Sequence, residues 1–306
     1  METNRRFRAM TLKPISQKEY FSSVGLVLLS TLCLSTAAAF WKYFTTMSSV
    51  AVITFLRFFS PFFVLTLLVL IQRKKVRLTS LRPHFFRALF ITISQFCFLF
   101  VLSKTNLLLA TLLYSTHGLF APLLMRIFQK VRASNRALIS IVISFIGVVV
   151  ALGTGHEIFS AISLFGLLSG LLTAAGQLIQ HKVSKSHDII VMSFIFFGLC
   201  ALLSIPLFLL LPSPHSFPPL NLSIAGIVLL FGLITVANQT LKTAAYKKVN
   251  KATTLSPYLY ATIVFSGFID WIWYGIVPQF HTILGTIIIL FGATLMSLRK
   301  APTKTP

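Results

Sequence analysis

The stretch Ile189–Leu241 contains no charged residue, and it limits the possible folds of this chain more than any other feature. A helix needs about 20 mainly apolar residues to cross the hydrocarbon core of a bilayer, so the stretch is too long for one span. Prolines gathered between Pro212 and Pro219 divide it, because proline interrupts helices. The stretch therefore predicts two membrane-spanning helices joined by a short loop.

The composition excludes a soluble fold. Hydrophobic residues make up 56% of the 306 residues, charged residues only 10%, and the mean hydropathy is +0.87. Soluble domains contain about 25% charged residues, which they need to cover their surface. Disorder, a coiled coil and an ordinary soluble enzyme are thereby excluded, and a polytopic membrane protein is predicted.

Apolar runs of similar length follow one another along the whole chain. We predict an all-α fold with ten transmembrane helices: Tyr20–Trp41, Ala51–Ile71, Ala88–Ser103, Thr105–Met125, Ala137–Gly155, Ile158–Gln180, the two parts of Ile189–Leu241, Ala252–Ile269 and Trp271–Leu298.

The 27 basic residues alternate between the connections. Most of them precede the first run, follow the last, or lie in every second connection, whereas the intervening connections contain almost none. The positive-inside rule then places both termini and all basic connections in the cytoplasm. The net charge of +22 is thus explained by contact with anionic lipid headgroups on the cytoplasmic side, and no nucleic-acid partner is expected.

The two halves of the chain resemble one another. A shift of 144 residues pairs Gln95 with Gln239, Lys104 with Lys248, Asn106 with Asn250 and Tyr114 with Tyr258. Five helices per half force opposite orientations, which predicts an inverted-topology repeat of the kind that transporters use. The predicted organisation is a basic N-terminus at 1–19, a first repeat at 20–155, a second repeat at 158–298 and a cytoplasmic tail at 299–306.

Several short motifs resemble the EamA type of the drug/metabolite transporter superfamily, over about residues 20–299. They are Arg57-Phe58 within Thr54–Pro61, Pro122 within Leu119–Leu124, Gly147 within Phe145–Val149, and the matching stretch Leu284–Ala293 in the last helix. The resemblance implies two inverted five-helix repeats, a small-molecule substrate and structural roles for Arg57 and Pro122. An anion contact is the alternative role of Arg57. The Gly-Glu pairs that the family often has after its fourth and ninth helices are absent here.

Polar side chains within apolar runs are the candidate substrate-binding residues. Amides can hydrogen-bond a substrate or join neighbouring helices, and aromatic rings can stack on a ligand or simply pack. Asp270, the carboxylate at the junction of the last two predicted spans, can bind a proton or a cationic group, or anchor the helix at the interface. The full set is Gln95, Tyr114, His117, Gln177, Asn238, Gln239, Tyr258, Tyr260 and Asp270.

The predicted function is secondary-active transport of a small polar metabolite across the bacterial cytoplasmic membrane. Phosphate-loop, zinc-ligand and nucleophile motifs are missing from the sequence, so we expect no enzyme activity, cofactor or metal. S-adenosylmethionine uptake or exchange is the leading substrate hypothesis, because similar carriers of this superfamily serve reduced bacterial genomes. The alternatives are export of amino acids, drugs or other metabolites, an intramembrane enzyme, and a non-transporting subunit. A homodimer also stays open.

Overall fold

The computed structural model describes residues 17–76, 81–129, 135–153, 160–183, 188–210, 222–248 and 255–297, and these residues contain helices and no strands. The predicted loops around 154–157 and 212–221, the basic N-terminus and the tail lie outside the described residues. The helices are α1 Gln17–Phe44, α2 Val50–Ile71, α3 Leu81–Lys104, α4a Leu107–Ser115, α4b His117–Gln129, α5 Asn135–Leu152, α6 Ala161–Val183, α7 Ile189–Leu210, α8 Leu222–Lys248, α9a Ser256–Leu259, α9b Ala261–Tyr274 and α10 Phe280–Ser297.

Seven of these helices are long and apolar enough to cross a membrane when α4a and α4b are taken together. Helices α5 and α10 are apolar but shorter, and α9 is divided by a turn at Tyr260. The prediction of an all-helical chain with ten helical segments is therefore confirmed for the described residues. The orientation of the termini stays a prediction.

Polar side chains cap the first turns of two helices. The Ser49 hydroxyl accepts a hydrogen bond from the Val52 N–H at the start of α2. The Asn106 side chain does the same for the Leu109 N–H at 2.7 Å, which starts α4a. Such caps satisfy backbone donors that have no partner within the helix, so these two helices begin at defined residues.

One predicted boundary, the division between the last two helices at Asp270, is wrong. Helix α9b continues through Asp270 to Tyr274 and ends at Gly275, whose φ of +64° is the left-handed conformation that favours glycine. The apolar pattern breaks at Asp270 because a carboxylate is polar, but this carboxylate is buried and has partners in neighbouring helices. A charged residue with partners does not end a membrane helix.

Two further boundaries were placed too close to the membrane centre. Arg87 and Lys242 were predicted to lie in basic connections, but α3 begins at Leu81 and α8 continues to Lys248. Both side chains consequently lie within helices, and Arg87 is only 2% exposed. The sequence pattern treats a cation as water-facing, whereas the interior of the bundle accommodates these two.

The helix packing relates the two halves of the chain. The main contacts are α1 with α8, α3 with α6, α2 with α7, and α5 with α10. Helix α2 also packs on α8 and α3 on α7, while α9b contacts α1 and α4b contacts α6. Exchanging α1–α5 for α6–α10 converts each of these contacts into another in the set or into itself.

An aromatic cluster fills the bundle at the end where α1 finishes. Trp41, Phe44 and Phe231 are each at most 2% exposed, and the Trp41 and Phe231 ring centroids are 5.1 Å apart. Phe40 packs on the same Phe231 ring at 4.5 Å. The packing fills the interior at this end, and an internal cavity lies nearer the other end, where α3 begins and α8 finishes.

Candidate functional site

A cavity of about 130 Å³ lies in the interior of the bundle. Helices α1, α2, α3, α4a, α4b, α6, α7 and α8 contribute to its wall, together with the adjoining ends of α9a and α9b. Its polar lining consists of Ser30, Thr31, Arg57, Arg87, Gln95, Tyr114, Ser115, His117, Thr173, Gln177, Gln180, Thr235, Asn238, Gln239, Lys242 and Thr262.

The structure brings six of the nine predicted site residues together at this cavity. All four predicted amides and two of the aromatic side chains line it, whereas Tyr258, Tyr260 and Asp270 do not. A role in substrate binding stays a prediction for all nine residues. The six are Gln95, Tyr114, His117, Gln177, Asn238 and Gln239.

Two of the cavity amides have unused hydrogen-bonding capacity. Gln95 on α3 has a buried Oε1, and Gln239 on α8 a buried Nε2, with no hydrogen-bond partner among the described residues. The Nε2 of Gln95 lies 3.5 Å from the Tyr114 hydroxyl, the upper limit for a hydrogen bond. Buried polar atoms are nearly always paired in folded proteins, so these atoms are suited to a polar ligand or water.

The break between α4a and α4b places Tyr114 and His117 side by side. The His117 Nδ1 lies 2.9 Å from the Tyr114 carbonyl oxygen, and the two ring centroids are 5.2 Å apart. One turn later, Pro122 lacks the N–H that would bond to the Gly118 carbonyl. The interrupted helix therefore presents two adjacent aromatic rings to the cavity.

Sequence analysis missed the basic character of this cavity. Arg57, Arg87 and Lys242, from α2, α3 and α8, all line it. Arg57 was predicted to be structural, and the other two were taken for loop residues. The available signal was the apolar sequence on both sides, such as Phe85-Phe86 before Arg87 and Ala244-Ala245 after Lys242.

Asp270 lies near the opposite end of the bundle, where it joins three helices. Its carboxylate accepts hydrogen bonds from the N–H groups of Leu107 at 3.2 Å and Leu108 at 2.6 Å, at the start of α4a. Lys42 on α1 forms an ion pair with it at 3.6 Å. These contacts give the buried charge its partners, as a low-dielectric environment requires.

The two remaining tyrosines occupy packing positions. The hydroxyl groups of Tyr258 and Tyr20 are 3.0 Å apart, which joins α9a to α1. Tyr260 is 5% exposed and its ring fills the space above Gly118, where an added Cβ would lie 2.3 Å from the hydroxyl oxygen. Both contacts hold α9 against its neighbours.

In the described part of the chain, no group of three or more His, Cys, Asp or Glu side chains is close enough to hold a metal ion. Cys97 and Cys200 are buried, and Cys33 is partly buried, all as free thiols. The cavity can therefore act through hydrogen bonds, aromatic faces and positive charge.

Comparison with known proteins identifies relatives over the whole bundle. The EamA-like transporter family matches residues 21–153 and 160–298. A crystal structure of a protein 18% identical in sequence aligns with a TM-score of 0.64, covering 92% of this chain and 97% of that chain. This likeness supports the fold.

Curated relatives carry transporter names. The S-adenosylmethionine uptake transporter of Rickettsia bellii is 27% identical over 94% of this chain and 98% of its own, and that of Rickettsia felis is 27% identical over 89% and 91%. The pseudopaline exporter CntI of Pseudomonas aeruginosa is 26% identical over 47% of this chain. That match spans about half the length of the exporter, 49%.

Proposed function

Because the chain belongs to the EamA-like transporter family, we propose that it moves a small polar metabolite across the membrane by secondary-active transport with alternating access. The chain is a multi-pass protein of the bacterial inner membrane, as its apolar helices and bacterial transporter relatives indicate. Transport is then driven by an ion gradient or by exchange of one solute for another.

The unpartnered polar atoms of the cavity carry this proposal. In the bundle interior, the Gln95 Oε1 and the Gln239 Nε2 have no hydrogen-bond partner among the described residues, and both belong to the cavity wall. Leaving such groups unpaired in an apolar medium costs about 1–3 kcal/mol each. A polar solute passing through the cavity would recover that free energy.

An inverted repeat would supply the two access states. The helix contacts are preserved when α1–α5 and α6–α10 are exchanged, as expected of two halves related by an axis in the membrane plane. Gln95 and Gln239, which the repeat pairs, both line the cavity. Rocking one half against the other would then open the cavity to one side at a time.

The size of the cavity agrees with a cycle of conformations. At about 130 Å³ it is smaller than the roughly 300–1,000 Å³ typical of small-molecule sites. A metabolite of the size of a nucleoside would fit only after the helices separate. The described conformation is in that case a contracted state of the cycle.

S-adenosylmethionine is the substrate that we propose to test first. The two Rickettsia relatives that carry it in their names match this chain over nearly its whole length. Tyr114 and His117 offer aromatic faces for an adenine ring, and the cavity amides offer hydrogen bonds to its edge. Uptake, or exchange for a related nucleoside, is the proposed mode.

Uptake into liposomes that contain the purified chain tests the proposal. Labelled S-adenosylmethionine should enter these vesicles faster than protein-free vesicles, and loading them with unlabelled compound should accelerate entry if exchange operates. Gln239→Leu should reduce uptake at least tenfold, whereas Gln279→Leu, which removes an exposed amide before α10, should not. Equal uptake by the Gln239 variant and wild type would contradict the assignment of the cavity.

A further inference from the structure

The cavity has three cationic side chains and no described carboxylate to balance them. Arg57, Arg87 and Lys242 line it, whereas the described acidic residues Glu19, Asp188 and Asp270 do not. Asp270, the acid buried in the bundle, is already engaged by Lys42 and the α4a backbone. The charge of the cavity is thus formally three positive, within the described residues.

The contacts of the two arginines leave hydrogen-bond donors unused. The Arg87 guanidinium lies over the Phe196 ring at 3.8 Å, and that of Arg57 over the Phe98 ring at 5.4 Å. Ring faces attract a cation but accept no strong hydrogen bond. Each arginine accordingly retains a buried Nη1 without a hydrogen-bond partner among the described residues.

Lys242 increases the imbalance. It interacts electrostatically with Arg87, a like charge, and with His117. Like charges brought together away from water are unfavourable unless a counter-charge lies between them. This cluster comes from separate helices, so the fold itself holds the three cations around one cavity.

We infer that Arg57, Arg87 and Lys242 form an anion-binding subsite, and that the transported molecule carries a carboxylate or phosphate group that binds there. This inference rests on the proposed transport function and narrows its substrate class. Guanidinium groups present planar, paired donors that match both anions, and a lysine adds a mobile point charge. An S-adenosylmethionine molecule bound here is held by its carboxylate, with its sulfonium cation directed away from the cluster.

Anion binding to the purified full-length chain tests the subsite without any transport measurement. We expect inorganic phosphate or acetate, at constant ionic strength set with sodium chloride, to raise the unfolding temperature saturably. A shift with acetate alone indicates a carboxylate substrate, and a shift with phosphate alone indicates a phosphorylated one. No shift with either anion beyond that of chloride overturns the inference.

Matched variants locate the binding. Arg87→Gln and Lys242→Gln should weaken the apparent affinity for the effective anion by about 10- to 100-fold, because a hydrogen bond to a charged group is lost. Arg87→Lys keeps the charge and should retain part of the effect. Lys104→Gln on α3 and Lys247→Gln on α8 remove exposed cations from the same helices and should bind like wild type. Equal weakening in these controls overturns the inference.

Competition for uptake separates this inference from the proposed function. If S-adenosylmethionine is transported, its decarboxylated form should compete at least tenfold less well in wild type, and the two should compete equally in Arg87→Gln. Transport in which both compounds compete equally in wild type keeps the proposed function and overturns the subsite. Anion-dependent stabilisation that requires Arg87 and Lys242, without uptake of S-adenosylmethionine, supports the subsite and refutes that substrate.

Discussion

Lys42 on α1 and Asp270 on α9b form an ion pair, with 3.6 Å between the lysine Nζ and the carboxylate Oδ1. The lysine also lies over the Tyr274 ring, 5.0 Å from its centroid, and the Tyr274 hydroxyl donates to the Ala39 carbonyl at 2.7 Å. Because the same carboxylate accepts from the first N–H groups of α4a, one buried side chain holds α1, α4a and α9b together. This cluster lies next to the aromatic cluster of Trp41, Phe44 and Phe231, at the end of the bundle where α1 finishes.

Asp270→Asn should lower the unfolding temperature of the purified protein. The substitution removes the charge that balances Lys42 and weakens two hydrogen bonds to the backbone, and breaking a buried pair costs about 3–5 kcal/mol. Substrate affinity of the folded fraction should change less than twofold, since Asp270 does not line the cavity. Thermal unfolding and equilibrium binding, measured on the same sample, check this expectation.

The Lys42→Gln variant and the double variant complete a thermodynamic cycle. The double variant should lose less stability than the sum of the losses in Asp270→Asn and Lys42→Gln. Each single substitution leaves the other member of the pair without its counter-charge, and the double substitution does not. A variant Asp270→Asn that unfolds like wild type but no longer binds substrate would instead support the role predicted from the sequence, in which this carboxylate binds the solute or a proton.

Acid should weaken a second ion pair, at the opposite end of the helices. Lys74 and Asp188 are joined at 2.7 Å, and Asp188 also accepts from the Ile190 N–H at the start of α7. The hydrogen bond from Lys74 is the main cause that holds the pKa of Asp188 below its usual value of 3.8. A depressed carboxylate pKa stabilises the folded state above pH 3.8, and that contribution is lost as the pH falls through the folded-state value.

Two substitutions at Asp188 separate its cap from its charge. Asp188→Asn keeps a good capping residue, so it should lower the unfolding temperature only slightly at neutral pH, and the difference from wild type should shrink as the pH falls below 3.8. Asp188→Ala also removes the cap, which should cost about 1 kcal/mol more than the asparagine variant at every pH. Thermal scans between pH 3 and pH 7 measure both effects, and a pH-independent deficit in the asparagine variant would argue against the ion pair.

The predicted topology is tested by labelling single cysteines in a background without Cys33, Cys97 and Cys200. Thr46, between α1 and α2, and Lys75, after α2, are both exposed. With the termini in the cytoplasm, Thr46→Cys should react with a membrane-impermeant maleimide in intact cells, and Lys75→Cys should react only after permeabilisation. The reverse pattern would show that the bundle is inserted the other way round.

The sequence was sufficient for the parts of the fold that depend on continuous apolar runs. Helix α2 was predicted as Ala51–Ile71 and found as Val50–Ile71, because neither end involves a buried charge. Helices α3, α8 and α9b were misplaced at Arg87, Lys242 and Asp270. A pattern based on hydropathy treats every charged residue as facing water, and the partners that permit burial come from distant parts of the chain.

In the candidate site, too, some residues could be predicted from the local sequence and others depended on distant contacts. The amides were identifiable because an amide within an apolar run has no local partner, and all four line the cavity. Tyr258 lies in the short helix α9a, and Tyr260 forms the turn that separates α9a from α9b. Which face of a helix meets the cavity depends on such breaks. The residue type alone therefore could not distinguish aromatic residues that line the cavity from those that only pack.

Close packing of α5 against α10 gives the last prediction. Gly285 on α10 lies so near α5 that an added Cβ would be 2.5 Å from the Ala151 nitrogen and the Gly147 carbonyl oxygen. Both glycines belong to the motifs that resemble the transporter family, and small residues allow membrane helices to approach closely. Gly285→Ala should therefore push the helices apart and reduce the free energy of unfolding by about 1–3 kcal/mol.

Gly226→Ala on α8 is the matched control. Nothing lies within 4 Å of a Cβ added there, so the substitution should be neutral or stabilising by up to about 1 kcal/mol, the difference in helix propensity between the two residues. Unfolding temperatures of the two variants in the same detergent make the comparison. If Gly285→Ala were as stable as Gly226→Ala, the helices would have enough freedom to separate without loss, and α5 and α10 would not be a rigid contact between the two halves.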